Sequence, residues 1–296
     1  MTRKEFLVLT FLEKSKTKPS QRMISETVKL SLGTVNKILL TLRENAWVHS
    51  DLSLTEAAYE ALEPYRAKRL IFLAAGLGDR LLPITINTPK PLVRVKGTRI
   101  IDTAIDAALA KGIEEIYIVR GYLSEQFDQL LKKYPQVRFV ENPAYNETNN
   151  ISSAMLVRHL LQNAYIMEAD LLINNPNIFS KYHYTSNCLG VPVEKTDDWC
   201  IKSKNGVATE LVQGGINCHH LFSIYYWTAE DGTKLADHIE QVYQSPGGKE
   251  RFWDLTPLRY FEKEYHVEIV ECKMEDVHEI DSLRDLRAVD PMYAMI

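Results

Sequence analysis

Residues 70–75 form an unbroken apolar run that ends at Gly76, and this run constrains the fold more than any other segment of the 296-residue chain. Such a run, bounded by a glycine, is typical of a strand buried on both faces, as in a parallel sheet. Helix and strand patterns then alternate, with helices predicted over residues 100–111, 124–134 and 152–161 and strands over residues 115–120, 137–140 and 164–167. This alternation predicts an α/β fold with a mostly parallel sheet and helices on both of its faces.

Composition excludes several classes of protein. The chain is 45% hydrophobic and 25% charged, with 13 glycines and 12 prolines, which excludes disordered and collagen-like chains. No apolar run approaches the roughly 20 residues that cross a bilayer, and the first residues lack a signal-peptide cleavage site. The four cysteines are scattered without metal-binding spacing. Together these features predict a cytoplasmic protein with reduced thiols and no membrane partner.

The first 66 residues have the pattern of a separate, small helical domain. Apolar spacing predicts helices over residues 3–13, 20–27 and 34–43, with Gly33 in the turn before the third. Residues 47–49 and 52–54 suit a minimal wing, and Thr55 caps a last helix over residues 56–65. This order of elements resembles the winged helix-turn-helix domains of bacterial transcription regulators. We therefore predict a winged helix-turn-helix domain over residues 1–66 and a second domain over residues 67–296.

Charge leaves the partner of this first domain open. Residues 1–66 carry ten Lys or Arg and eight Asp or Glu, a net charge of +2. DNA-binding domains usually carry a pronounced basic face, and here Lys29, Lys37 and Arg43 are the candidates for one. DNA binding and a role in dimerisation or domain contact are therefore both kept as hypotheses.

The strongest chemical signal is a glycine loop with nearby cations. Residues 73–80 have the sequence L-A-A-G-L-G-D-R, and residues 88–92 have T-P-K-P-L. Gly76 and Gly78, directly after a buried strand, let backbone amides approach an anion, while Arg80 and Lys90 add two positive charges. Leu81 replaces the third glycine of a dinucleotide fingerprint, and no G-K-[ST] follows, so neither that motif nor a P-loop is present.

These two segments carry a resemblance to a known family. From Lys68 to Asp290 the chain resembles the nucleotidyltransferases that join an NTP to a phosphorylated small molecule, and most of all the bacterial CTP:phosphocholine cytidylyltransferases. Further segments in the same order support the resemblance: T-N-N-I-S-S at 148–153, E-A-D at 168–170, D-W at 198–199, W-D at 253–254 and E-I-D-S at 279–282. The resemblance implies a Rossmann-like nucleotidyltransferase sheet and the transfer of CMP from CTP to phosphocholine, with Mg²⁺ as cofactor.

The chemistry of that reaction suits the residues of the glycine loop. A phosphate monoester is already an anion near neutral pH, so it attacks the α-phosphorus without a general base. The protein must align two anions and neutralise charge as pyrophosphate leaves. The resemblance implies that Arg80 holds the β- and γ-phosphates and that Lys90 lies on the α-phosphate and the attacking phosphate. It implies that the nucleotide lies against Ala74, Ala75, Gly76, Gly78, Asp79, Gly121, Asn150 and Ser153. Ser152 or Ser153 would also serve as a helix N-cap.

Two carboxylates are the predicted metal ligands. Asp170 follows the strand predicted over residues 164–167, at the edge of a parallel sheet where ligands gather. Asp281 lies in the E-I-D-S segment and matches the family's second metal-binding acid. Hard oxygen ligands suit Mg²⁺. The alternative for Asp281 is that it caps a helix over residues 282–289.

The acceptor pocket is predicted from aromatic residues next to acids. A quaternary ammonium offers no hydrogen-bond donor, so proteins hold it with aromatic faces and nearby carboxylates. Trp199, Trp253, Asp254 and Glu279 would supply both. The alternative is that the two tryptophans belong to the core. The pair His219-His220 is predicted to lie in a loop before a strand over residues 221–227, and we assign it no role.

Three other functions stay open. In the first, the acceptor is 2-aminoethylphosphonate or phosphoethanolamine, whose primary ammonium prefers carboxylates to an aromatic cage. In the second, the acceptor is a sugar 1-phosphate, although the segment after Asp170 lacks the loops that usually bind hexose hydroxyls. In the third, the chain is a transcription regulator whose second domain only senses a ligand, and the retained Arg80, Lys90, Asp170 and Asp281 argue against this class. A homodimer is compatible with each of these.

Overall fold

The computed structural model describes residues 1–295 and divides the chain into two compact units. The first unit comprises Met1–Arg66 together with Tyr182–Tyr184, and the second comprises Ala67–Lys181 together with the chain from Thr185 onward. Within residues 1–295, no helix has both the length and the apolar character needed to cross a membrane.

Four helices form most of the first unit, namely α1 (Arg3–Lys14), α2 (Gln21–Val28), α3 (Leu32–Glu44) and α4 (Glu56–Leu62). Each begins after a residue whose hydroxyl caps the first turn, and these residues are Thr2, Ser20, Ser31 and Thr55. Where the sequence predicted a wing, the structure has one antiparallel bridge, between Val48 and Leu54. The helices therefore lie where the sequence predicted them, and the winged helix-turn-helix domain as such stays a prediction.

The second unit is an α/β domain. Its strands are β1 (Arg69–Ala74), β2 (Arg94–Val95), β3 (Thr98–Arg99), β4 (Glu115–Arg120), β5 (Val137–Glu141), β6 (Ala164–Glu168), β7 (Leu171–Ile173), β8 (Asn187–Lys204), β9 (Val207–Trp227), β10 (Glu268–Glu271) and β11 (Val277–Glu279). Its helices are α5 (Ile100–Leu109), α6 (Ile151–Val157), α7 (Ala229–Gln244) and α8 (Leu283–Val289).

Seven strands form the main sheet in the order β10-β8-β9-β6-β1-β4-β5. Strands β6, β1, β4 and β5 are parallel, β9 runs antiparallel to β6 and to β8, and β10 is parallel to β8. The predicted, mostly parallel sheet is thus confirmed, and its parallel half brings the carboxyl ends of β1 and β6 side by side. Two small antiparallel pairs, β2–β3 and β7–β11, lie outside the main sheet.

Strand β1 shows that both faces of the sheet are covered. Leu70 and Phe72 pack into one hydrophobic cluster with residues of α5, whereas Ile71 and Leu73 pack into another with residues of α6 and α7. Alternating residues of a strand point to opposite faces, so each face has its own core. This is why the run over residues 70–75 is apolar throughout.

Two segments differ from the sequence prediction. Residues 124–132 form 3₁₀ turns instead of an α-helix, and the buried Phe127 and Leu130 are three residues apart, the spacing that aligns side chains on a 3₁₀ helix. Strands β8 and β9 form a hairpin of 18 and 21 residues, with several register shifts, where only the strand over residues 221–227 was predicted. His219 and His220 therefore lie inside β9 and not in a loop, because the hairpin continues through them.

Candidate active site

The glycine loop after β1 is packed against Lys90. Gly78 has a φ of +69°, a left-handed conformation that favours glycine. A Cβ there would lie 3.1 Å from Cγ2 of Thr85 and 3.2 Å from Cβ of Lys90, so a larger residue is excluded on two grounds. The hydroxyl of Thr85 donates a hydrogen bond to the carbonyl of Gly78, at 2.9 Å. The loop and the predicted catalytic lysine are thereby held in one cavity.

This cavity, which we call the phosphate cavity, has a volume of about 480 Å³ and lies at the carboxyl end of β1 and β6. It brings together most of the residues predicted to bind the triphosphate and the metal. Its walls include Ala74, Gly76, Gly78, Asp79, Arg80, Lys90, Glu168, Asp170 and Asp281.

Lys90 is the cation at the centre of this cavity. Its ammonium lies 2.7 Å from Oδ2 of Asp170 and 3.1 Å from Oδ1 of Asp281. Burial opposes the charged form of this side chain, but the two carboxylates outweigh burial and raise the pKa of Lys90. Lys90 is therefore protonated at neutral pH, and its charge is fixed in position.

Arg80 has a different environment, since 71% of its side chain is exposed. Its guanidinium nevertheless forms an ion pair with the carboxylate of Asp281. Asp281 thus contacts both cations. An exposed arginine on a fixed acid is free to swing toward an anionic ligand at little conformational cost.

Strand pairing, not sequence proximity, brings Asp281 to Asp170. Strand β11 pairs antiparallel with β7, and the amide of Ile280 donates to the carbonyl of Asp170 at 3.0 Å. The hydroxyl of Ser282 caps α8. Asp281 is therefore not the N-cap of this helix, and that alternative explanation is removed.

Three carboxylates converge at this point, because Asp170, Glu279 and Asp281 each place an oxygen within 4.8 Å of the others. Burial, followed by the charges of Asp170 and Asp281, raises the pKa of Glu279 to about 8. Oδ1 of Asp170 is buried and has no hydrogen-bond partner among residues 1–295. An unpartnered carboxylate oxygen within a group of acids fits a divalent cation with oxygen ligands. Glu279 was predicted only for the acceptor and joins this group.

A second cavity of about 420 Å³, which we call the base cavity, adjoins the first. It is lined by four of the residues predicted to bind the nucleotide, namely Ala75, Gly76, Asn150 and Ser153. Side-chain Nδ2 of Asn142 donates to the hydroxyls of both Ser152 and Ser153, each at 2.9 Å. The N-cap of α6 is Asn150, so neither serine caps this helix.

Gly121 has a packing role in the structure. A Cβ at this position would lie 2.6 Å from the ring of Tyr145. Tyr145 lines both cavities. Gly121 therefore acts through Tyr145, because it allows that ring to approach the strand.

Glu168 is a site residue that the sequence showed only as part of the E-A-D segment. It ends β6, lines both cavities and accepts a hydrogen bond from Nδ2 of Asn150 at 2.8 Å. Burial, and then the charge of Asp170, raises its pKa to about 8. The signal that would have found it is its place at the end of the predicted strand, two residues before Asp170.

The predicted aromatic cage is not supported for Trp253. This side chain is 1% exposed, and its ring packs against Tyr225 and Trp227, with centroids 5.0 and 6.5 Å away. A ring enclosed in the core offers no free face to a cation. Trp253 is therefore a core residue, and its predicted role in the acceptor pocket is wrong. Trp199 is half-buried and contacts Phe252 edge-on.

Asp254, also predicted for the acceptor, accepts a hydrogen bond from the hydroxyl of Tyr225 at 3.1 Å, and burial raises the pKa of Asp254 to about 6.

A different group of polar side chains lies next to the three carboxylates. Asp198, His220 and Glu279 place one ligand atom each within 4.8 Å of one another. Burial lowers the pKa of His220, so its imidazole is neutral at pH 7. Glu279 belongs to both groups. The sequence does not reveal His220 as a site residue, because only the register of the β8–β9 hairpin brings it near Asp198.

The chain is similar to known proteins of one family. The family model described as nucleotidyl transferase matches residues 69–190. The 2-aminoethylphosphonate cytidylyltransferase of Lancefieldella rimae is 35% identical over 230 residues, which are 76% of this chain and 93% of that protein. The choline-phosphate cytidylyltransferase of Streptococcus pneumoniae is 34% identical over 224 residues, 75% of this chain and 96% of that protein.

A solved structure of CTP:phosphocholine cytidylyltransferase from Streptococcus pneumoniae matches with a TM-score of 0.70 and 33% identity, over 77% of this chain and 99% of that chain. The fold is that of a nucleotidyltransferase, and the protein is an enzyme of this kind. The chain covers 93% and 96% of the length of the two cytidylyltransferases above, which also shows the branch of the family. The chain belongs to the cytidylyltransferases of the nucleotidyl transferase family.

Proposed function

We propose that the protein transfers the cytidylyl group of CTP to the phosphate or phosphonate oxygen of a small cationic amine and releases pyrophosphate. The relatives are cytidylyltransferases, and the phosphate cavity at the carboxyl end of parallel strands carries two cations together with Asp170 and Asp281, two members of the group of three acids. Ligands of open α/β sheets bind at this edge.

The chain's own residues supply positioning and charge. The acceptor oxygen is already anionic, so no general base is required. Lys90 would hold the α-phosphate and the acceptor phosphate together, since its charge is fixed by two carboxylates. Arg80 would leave Asp281 for the β- and γ-phosphates and stabilise the leaving pyrophosphate. A divalent cation, which we expect to be Mg²⁺ held by Asp170, Glu279 and Asp281, supplies further neutralisation of the triphosphate when bound.

The observation that carries the acceptor class is the group of Asp198, His220 and Glu279, within 4.8 Å of one another. The carboxylate of Asp198, a carboxyl oxygen of Glu279 and the neutral imidazole of His220 are three hydrogen-bond acceptors, which match the three N–H donors of a primary ammonium. The charge of the ammonium would itself favour the ionised form of Glu279. A quaternary ammonium would instead need aromatic faces, and Trp253 is buried. We therefore propose 2-aminoethylphosphonate or phosphoethanolamine as the acceptor, ahead of phosphocholine.

Phosphocholine is the second candidate, because Trp199 is half-buried, follows Asp198 and donates its backbone amide to the Asp198 carboxylate at 2.7 Å. Pyrophosphate release from each of the four NTPs, measured with phosphocholine, phosphoethanolamine, 2-aminoethylphosphonate and glucose 1-phosphate, tests both. The proposal expects turnover with CTP and a primary-amine acceptor. Turnover with glucose 1-phosphate alone would overturn it, and a preference for phosphocholine would reverse the order of the two candidates.

For the first unit we propose a winged helix-turn-helix domain. Lys37 and Arg43 are exposed on α3, but so are Leu32 and Leu40, at 48% and 57%. DNA binding is the hypothesis to test first. The affinity of a protein for DNA falls steeply with salt when the protein contacts phosphates, so a salt series tests it directly. Retention on DNA at low salt and release at high salt would support it, and no retention at low salt would leave a dimerisation or domain-contact role.

A further inference from the structure

The phosphate cavity and the base cavity meet at a small set of shared residues. Both are lined by Leu73, Gly76, Tyr145, Asn146 and Glu168. Glu168 is the member of this set that has a carboxyl group. It stands beside Leu73, its partner in the register between β6 and β1, at the carboxyl end of the sheet. A carboxylate therefore marks the junction between the two cavities.

The orientation of this carboxylate is held by the protein. Oε1 of Glu168 accepts from Nδ2 of Asn150 at 2.8 Å. The side-chain oxygen of Asn150 in turn accepts from the backbone amide of Trp253 at 2.9 Å, which fixes the amide group of Asn150. Among residues 1–295, Asn150 is the one hydrogen-bond donor to Glu168. The other carboxylate oxygen is thus available to a ligand in the cavities.

Nucleotide chemistry determines what reaches this junction. In a nucleoside triphosphate the ribose stands between the base and the phosphates. With the phosphates at Gly76, Gly78 and Lys90 and the base at Asn150 and Ser153, the ribose spans the boundary of the two cavities. Its 2′- and 3′-hydroxyls are hydrogen-bond donors, and a carboxylate is a strong acceptor for them.

We infer that Glu168 binds the ribose hydroxyls of the nucleotide and makes the enzyme select ribonucleotides over deoxyribonucleotides. The inference rests on the proposed function in one respect, that a nucleoside triphosphate occupies the two cavities. A site built to accept a hydrogen bond rejects an analogue that lacks the hydroxyl, because the buried acceptor is left without a partner. Glu168 is separate from the group of Asp170, Glu279 and Asp281 that fits a metal.

The test compares kcat/KM for CTP, 2′-deoxy-CTP and 3′-deoxy-CTP in the wild type and in Glu168→Ala. One hydrogen bond to a carboxyl oxygen corresponds to a factor of roughly 2 to 100, from a neutral partner to a charged one. The wild type should prefer CTP over at least one deoxy analogue by about this factor. In Glu168→Ala, turnover of CTP should fall by the same factor while turnover of that analogue stays unchanged, so the preference disappears.

A positioning role through Asn150 alone would lower CTP and deoxy-CTP equally and preserve the preference, and this result would overturn the inference. Glu168→Gln keeps the size of the side chain and an acceptor for Asn150, so it gives the same test if the alanine variant does not fold. The matched control is Glu141→Ala, which removes an exposed carboxylate at the end of β5 and outside both cavities. It should keep both the rate and the preference.

Direct binding separates this inference from the proposed function. Calorimetry with CTP and 2′-deoxy-CTP, or 3′-deoxy-CTP, needs no acceptor and gives a result even if no acceptor is turned over. If another ribonucleotide binds better than CTP, the same comparison with that nucleotide and its deoxy forms tests Glu168, and only the cytidylyl assignment fails. If no ribonucleoside triphosphate binds, both fail.

Discussion

Replacing Lys90 with methionine tests whether the carboxylates of the phosphate cavity depend on this cation. Methionine keeps the apolar stem and removes the ammonium that lies 2.7 Å from Asp170 and 3.1 Å from Asp281. Without divalent cations, Asp170, Glu279 and Asp281 then face one another with no buried positive charge. Removing one partner of a buried ion pair costs about 3–5 kcal/mol. Because the two aspartates keep 19% and 29% exposure, we expect the lower end, about 3 kcal/mol.

This loss is measurable as a change in thermal unfolding. At about 2–4 °C for each kcal/mol, the midpoint of the second unit should fall by roughly 6–12 °C in EDTA. Mg²⁺ should restore most of the loss, since a ligand at 100 times its Kd stabilises the folded state by about 2.7 kcal/mol. The wild type should gain less, because its ammonium already occupies the space between the acids.

Melting curves of both proteins in EDTA and in a Mg²⁺ series provide the assay, with pyrophosphate release measured in parallel. Turnover of Lys90→Met should stay at least about 10²-fold below the wild type even where stability is restored. Lys111→Met is the control, because the ammonium of this half-buried lysine donates to Oδ1 of Asn177 at 2.8 Å and the residue lines neither cavity. Equal midpoints for Lys90→Met and the wild type in EDTA, or equal gains with Mg²⁺, would refute the reasoning.

Four further predictions follow from the same geometry. Arg80→Ala should lower turnover at least about 10²-fold without changing the unfolding midpoint, because an exposed ion pair contributes little to stability; near-normal pyrophosphate release would remove Arg80 from the mechanism. Trp253→Leu should cost about 2–4 kcal/mol in urea unfolding because the ring is buried, whereas Trp199→Leu should cost less than about 1 kcal/mol, and the reverse order would contradict the packing. Asp254 has a pKa of about 6 when folded, above its ordinary value of 3.8, so the stability it contributes is complete below about pH 4 and is lost as the pH rises through 6. Asp254→Asn should therefore gain up to about 3 kcal/mol relative to the wild type between pH 4 and 7, and a pH-independent difference between the two would disprove this. A chain that begins at Ala67 and carries Tyr184→Ser, to remove the ring that stacks on Tyr65 at 5.5 Å, should fold and turn over; a folded but inactive product would show that the first unit is needed for catalysis.

Many features of this protein depend on residues that are close in sequence, and these could be predicted. The buried strand before Gly76, the alternation of helices and strands, and the helices of the first unit follow from local periodicity and capping. The glycine loop with Arg80 and Lys90 also lies within one short stretch. The reaction class could therefore be predicted without a structure.

The composition of the site depends on pairing between distant strands, which one sequence does not show. Glu279 joins Asp170 because β11 pairs with β7, and His220 reaches Asp198 through the shifted register of a long hairpin. An aromatic residue next to an acid looks the same in sequence whether it faces a ligand or the core. Only packing against Tyr225 and Trp227 decides that Trp253 is buried, because burial depends on which surfaces meet and not on local pattern. The sequence by itself thus determined the class of reaction, and the tertiary structure decided which side chains share the site.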